Sequence, residues 1–205
     1  MIVTAYKGFH NDLTCSGFQY ELGKDYTMDE TPKLCRVGFH ACIFPLDVLD
    51  YYPYGVYAKV IFDCSKVDGL GELSGHRKKD SKICGSVIHI CESLVDTSVL
   101  FMESIQYIIR IYGPETPINV ENFELIKAAG GIRALFHEMR NGSPLSLWHM
   151  LQFESIYSTI YDFWNRFTKN KTKEEMIDIY KTMGAIKEEE VCGNRVKNIL
   201  VDEEN

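Results

Sequence analysis

The spacing of apolar and polar positions changes character partway along this chain. In the first ninety or so residues, apolar side chains come in short, dense blocks. Val56-Tyr57-Ala58-Lys59-Val60-Ile61-Phe62 is rich in β-branched and aromatic residues, and Ile83 to Cys91 reads as a second strand, with Val87, His89 and Cys91 on one face and Ile88 and Ile90 on the other. Glycines at 8, 17, 23, 38 and 55 and Pro53 interrupt these blocks at the short intervals expected of turns. A short helix is expected at Pro45 to Tyr52, where proline suits the first turn and Leu46, Val48 and Leu49 supply an apolar side. The segment from Asp68 to Asp80 has loop composition.

From about Glu92 the period becomes helical. Leu94, Val99, Met102, Ile105, Ile108, Ile109 and Tyr112 recur at helix spacing, and Gly113-Pro114 supplies a stop. A second helix is expected from Asn119, bent or split at Gly130-Gly131. A third is capped by Ser143-Pro144 and carries Leu147, Leu151, Ile156, Ile160, Phe163 and Phe167. A fourth opens on Thr172-Lys173-Glu174-Glu175, a capping-box pattern, and ends near Gly184. The expected fold class is α+β: a small β-rich N-terminal module over residues 1–92, followed by a mostly helical region over residues 93–205.

Composition narrows the functional classes. A length of 205 residues with 45% hydrophobic content allows a packed core, and no run is apolar and long enough to span a membrane. No signal peptide is apparent at the N-terminus, so a cytoplasmic protein is expected. The seven cysteines, at 15, 35, 42, 64, 84, 91 and 192, are scattered and are most simply free thiols. A net charge of -7 disfavours direct nucleic-acid binding, which depends on cations neutralising phosphates, and leaves a protein partner as the expectation.

Several blocks occurring in order carry a resemblance. Ala5-Tyr6-Lys7-Gly8-Phe9, then Leu13-Thr14-Cys15-Ser16-Gly17-Phe18-Gln19-Tyr20-Glu21-Leu22-Gly23-Lys24-Asp25-Tyr26, then Gly38-Phe39-His40-Ala41-Cys42, then Pro45-Leu46-Asp47-Val48-Leu49-Asp50-Tyr51-Tyr52, then Asp80-Ser81-Lys82-Ile83-Cys84 resemble an uncharacterised domain family found mainly in phages and prophages. That resemblance implies a phage-related origin and no known activity. A more distant likeness is to ADP-ribosyltransferase-type folds, in the order Tyr6-Lys7-Gly8, Gly38 to Ala41, Pro45 to Tyr52, Val56 to Phe62. It implies a nucleotide pocket between Tyr6, Lys7, Gly38 and His40. Ala41 stands where that pattern has a hydroxyl, and Glu92 is the one nearby candidate for the carboxylate such transfer needs.

The remaining constellations each have a chemical and a plain reading. His40-x-Cys42 and His89-x-Cys91 each place an imidazole and a thiol on one strand face, so the four would suit zinc if their strands were neighbours. Zinc sites more often use Cys-x-x-Cys turns, absent here, and packing histidines and thiols are the ordinary alternative, so no metal and no cofactor is expected. Cys42 beside His40 invites the same comparison, and packing is again the simpler account. Tyr51, Tyr52, Tyr54 and Tyr57 either form a partner-binding patch or cover the module's core, and Tyr157, Tyr161 and Trp164 pose the same question for the helical half. His137, Trp148 and His149 sit among helix-forming residues. Arg77-Lys78-Lys79, flanked by His76 and Lys82, is the one concentrated positive run and a second candidate contact surface.

These readings lead to a phage-encoded interaction protein that binds and inhibits a host protein, plausibly an antiphage defence component such as CRISPR interference, with no catalytic residues assigned. An ADP-ribosyltransferase-type or nucleotide-binding enzyme is the first alternative, and a structural virion or host-interaction protein is the second.

Overall fold

The computed structural model describes residues 1–73, 80–113 and 157–188. The chain divides into two compact units, one of Met1–Val95 together with the chain from Thr172, the other of Asp96–Lys171. The α+β expectation holds, with a mostly antiparallel sheet in the N-terminal region and helices after it.

The first unit is built on β1 (Ile2–Phe9), every residue of which is buried. Its strand partners explain the burial. β6 (Val56–Asp63) pairs with it along its full length, from Ile2↔Asp63 to Phe9↔Val56. A strand flanked on both edges and covered on both faces reads as a continuous apolar run rather than an alternating one, which makes Lys7 in its middle conspicuous. The remaining strands are β2 (Thr14–Cys15), β3 (Phe18–Gln19), β4 (Asp25–Thr27), β5 (Phe39–Cys42), β7 (Val67–Asp68), β8 (Lys82–Gly85), β9 (Val87–Val95) and β10 (Ile186–Lys187). Among the described residues the main sheet has the order β4-β9-β6-β1-β5-β8-β7, with β10 pairing β1, and β2-β3 form a small separate hairpin.

Two expectations are corrected by this topology. Ile83 to Cys91 is not one strand: β8 pairs with β5 and β7, whereas β9 pairs with β4 and β6. The break falls at Gly85-Ser86, where a Cβ on Gly85 would stand 2.5 Å from the Phe62 ring, so the curling sheet passes here only because a side chain is missing. The second correction concerns the division at residue 92. Residues 172–188 return to the β-rich unit, because Ile2↔Lys187 and Val3↔Ile186 place β10 against β1, and the Thr4 amide donates to the Ala185 carbonyl at 2.8 Å.

The short helix appears as a 3₁₀ turn over Pro45–Asp50 with Pro45 at its start and Leu46, Val48 and Leu49 buried. Asp47 anchors it. This carboxylate is fully buried and accepts from both the Ser81 amide (2.8 Å) and the Ser81 hydroxyl (2.7 Å), while the hydroxyl oxygen accepts from the Phe44 amide at 2.7 Å.

In the second unit, α1 (Thr97–Tyr112) is capped by Asp96, which accepts from the Val99 amide, and ends at Gly113 with φ 84°. Leu94, expected on this helix, lies in β9. Residues 157–168 form α2, on which Ile160, Tyr161 and Trp164 are buried, so these two aromatics are core, while Tyr157 is half-buried. Rings lock the two helices together: Tyr112 lies 5.3 Å from Phe163 and 5.1 Å from Phe167, and Phe101 lies 6.2 Å from Tyr157. The remaining expected helix starts, with His137, Trp148 and His149, lie outside the described residues.

α3 (Lys173–Met183), in the first unit, carries the expected capping box between Thr172 and Glu175 and stops at Gly184, whose φ of 76° is left-handed. Thr172→Ala is expected to cost about 1 kcal/mol of stability, read as a lower urea midpoint at unchanged m-value.

Cys15, Cys35, Cys42, Cys64 and Cys84 are free thiols, whereas Cys91 is disulfide-bonded, correcting the expectation for that residue. No helix among the described residues is long and apolar enough to cross a membrane.

Candidate functional site

The site follows from an incomplete ladder. β1 and β5 share one registered pair, Tyr6↔Cys42, and beyond it the two strands part. Lys7 and Gly8 on one side and Phe39 to Ala41 on the other then line a cavity of about 660 Å³, a size typical of small-molecule sites. The structure places all four residues of the expected pocket, Tyr6, Lys7, Gly38 and His40, on its wall. Gly38 makes this possible: its φ is 129°, and a Cβ there would stand 3.0 Å from the Cys84 Cβ.

Lys7 dominates the electrostatics. It is 3% exposed, and its Nζ donates to the His40 carbonyl (2.9 Å) and to Cys15 Sγ (3.4 Å). The ammonium also sits 4.9 Å from the Tyr20 ring centroid and 5.7 Å from that of Phe9. No carboxylate is among its described partners, and burial pulls its pKa below the ordinary lysine value, with Cys15 partly opposing.

Sequence reasoning did not select Arg36 and Lys82 as pocket residues, although both line it. Arg36 comes from the tight turn between Lys33 and Val37, in which Cys35 adopts a left-handed φ of 62°. Lys82 opens β8, and its Nζ lies 4.6 Å from the Tyr51 ring centroid. Three cations thus face one cavity, and among the described lining residues there is no carboxylate. Aromatic rings complete the wall. Phe18, Tyr20 and Phe39 stack edge to face at centroid distances from 4.8 to 6.3 Å, Tyr26 packs on Phe18 and Tyr20 without lining the cavity, and Tyr51 and Tyr52 lie along another edge.

His40 is a clamp for the turn that holds Arg36. Its Nε2 accepts from the Cys35 amide at 3.0 Å. Burial first, then the charges of Lys7 and Lys82, push its pKa down to about 4, so the ring is neutral near neutrality and available as an acceptor. Because the folded value lies below the unfolded one, this clamp's stabilisation is complete above about pH 6.5 and declines as pH falls towards 4. With allowance for the ring's partial exposure, a loss of about 1–2 kcal/mol is expected between about pH 7.5 and about pH 4.5. His40→Phe should flatten that part of the urea-midpoint profile.

The other candidates are dispersed or differently employed. His40 and Cys42 on β5 are separated from His89 and Cys91 on β9 by β1 and β6, roughly 14 Å at ordinary strand spacing, so the topology does not bring this set together. His89 instead donates from Nδ1 to Asp25 at 2.7 Å, joining β9 to β4. Cys42 is 2% exposed, and burial, followed by Asp47 and Asp80, raises its thiol pKa well above the ordinary value, as suits a packing group. Glu92 is exposed on β9 and does not line the cavity, whereas Ala41 does.

The tyrosine cluster is divided. Tyr57 is buried and donates its hydroxyl to the Tyr52 carbonyl, Tyr52 is half-buried on the cavity wall, Tyr51 is 41% exposed while bonded to Asp80, and Tyr54 is 61% exposed. Arg77, Lys78 and Lys79 lie outside the described residues.

Residues 3–102 match the family model of a domain of unknown function, DUF7666, so the N-terminal half is similar to an uncharacterised domain family. Every residue lining the cavity falls within that span. No curated protein and no solved structure matches the chain.

Proposed function

We propose that the β-rich unit binds a small anionic ligand with a flat ring, of the nucleotide class, in the cavity between β1 and β5. One observation carries this reading: Lys7, Arg36 and Lys82 converge on a cavity without a described carboxylate, in a chain whose net charge is -7. Concentrating positive charge against the sign of the whole chain, with Lys7 buried, is costly unless an anion completes the site. The aromatic wall supplies stacking surface for a ring, and the exposed Arg36 and half-buried Lys82 leave an entry route.

Binding is favoured here over group transfer. ADP-ribosyl transfer needs a carboxylate at the reacting ribose, and Glu92 stands away from the cavity. Calorimetric titration with adenosine 5′-monophosphate and with adenosine tests the reading. The nucleotide should bind at least about 10-fold more tightly, with an affinity that falls as salt rises. Equal affinities, or no binding of either, would contradict it.

A second reading, docking on a protein partner as in a phage-encoded inhibitor of a host defence, is favoured by the exposure of Tyr54 and Tyr51. Tyr54→Ala, outside the cavity lining, should then abolish co-purification of a host protein while leaving nucleotide affinity within about 3-fold.

A further inference from the structure

We propose that Lys7 is a covalent anchor within this cavity, its ε-amine condensing reversibly with an aldehyde or ketone that also carries a phosphate or carboxylate. The inference rests on the anion-binding reading and adds a reacting atom to it.

The geometry that points to this is a nucleophilic cluster on the cavity wall. Lys7 Nζ and Cys15 Sγ are 3.4 Å apart, and the Tyr52 hydroxyl donates to the same sulfur at 3.1 Å; all three residues line the cavity. Lysine amines that attack carbonyls are desolvated ones beside other cations, because both effects favour the neutral, nucleophilic form. Lys7 meets the first condition by its burial, and Arg36 and Lys82 line the same cavity. Its described partners include no carboxylate that would hold it as an ammonium, and burial shifts its pKa in the direction the reaction requires. Arg36 and Lys82 form no ion pair among the described residues, which leaves them to hold the ligand's anionic group while the carbonyl meets the amine.

The step balances without an oxidant or cofactor. The nitrogen lone pair forms a bond to the carbonyl carbon, and the carbonyl oxygen takes up a proton as the nitrogen loses one. The resulting carbinolamine expels water to leave C=N. The Tyr52–Cys15–Lys7 chain of contacts is placed to move those protons, and hydrolysis through the open side of the cavity reverses the reaction.

The test uses pyridoxal 5′-phosphate, which combines an aldehyde, a phosphate and a ring, and pyridoxine 5′-phosphate, its alcohol counterpart, as a non-condensing control. After borohydride reduction, intact mass and peptide mapping should find one added phosphopyridoxyl group per chain, on Lys7. Exposed lysines such as Lys169 and Lys181 should be labelled at least about 10-fold more slowly. Lys7→Arg, which keeps a cation but not a condensing amine, should lose the adduct. If pyridoxine 5′-phosphate binds but the aldehyde labels Lys7 no faster than Lys169, the imine proposal falls and the anion-binding reading stands. If pyridoxine 5′-phosphate does not bind and Lys7 is not labelled, both fall.

Discussion

Lys7→Met is expected to separate binding from stability. The substitution keeps an unbranched chain of similar length over Tyr20 and Phe9 while deleting the charge, so packing in β1 survives. Two energetic consequences oppose each other. Removing a buried ammonium relieves its desolvation, whereas the His40 carbonyl loses its donor at 2.9 Å, which costs about 1–3 kcal/mol if nothing replaces it. The net change in unfolding free energy should stay within about 1 kcal/mol of zero. Ligand affinity has no such compensation. A charge-assisted hydrogen bond contributes about 1.5–3 kcal/mol, so affinity for adenosine 5′-monophosphate should fall about 10- to 100-fold by calorimetry. A variant destabilised by several kcal/mol with binding intact would make Lys7 a structural residue.

Asp47→Ala should produce the largest loss of stability among the changes considered. Asp47 is fully buried and holds both the amide and the hydroxyl of Ser81, and Ser81 in turn holds the Phe44 amide. Alanine leaves those donors buried without their acceptor and opens a gap beneath the 3₁₀ turn, at a cost of about 3–4 kcal/mol. Ser81→Ala, which removes the hydroxyl alone, should cost about 1–2 kcal/mol, and urea titrations of the two variants set the order. The effect reaches the site, because the turn and the residues just after it carry Val48, Tyr51 and Tyr52 to the cavity wall. Asp47→Ala should therefore also weaken ligand binding at concentrations of denaturant well below its midpoint.

The sequence disclosed the ingredients of this site better than its geometry. The β-branched block sufficed for β6 and the His40-x-Cys42 alternation for β5, while Tyr6-Lys7 and Gly38 to His40 were set on one pocket only by the distant likeness to ADP-ribosyltransferase-type folds; their strands are neighbours in the sheet. Local capping chemistry at Thr172 with Glu175 was equally readable, since it depends on residues three apart. Long-range pairing was not. The return of β10 to β1 rests on two residue pairs nearly two hundred positions apart, and no local pattern signals it. The split at Gly85-Ser86 looked like an uninterrupted strand because its cause, the Phe62 ring, comes from another element. Arg36 and Lys82 escaped for the same reason. One sits in a turn whose conformation depends on a left-handed Cys35 and an acceptor from His40, and the other belongs to a strand whose neighbours only the topology reveals. Lys7, already among the expected pocket residues, is a charge in the middle of a strand that is buried along its whole length, which is what singles it out in the structure.

The most direct measurement of the central claim is a crystal structure of the full chain grown with adenosine 5′-monophosphate. The account predicts the phosphate within hydrogen-bonding distance of Lys7 Nζ and at least one of Arg36 and Lys82, with the base against the aromatic wall. A nucleotide bound elsewhere while this cavity holds only solvent would contradict it.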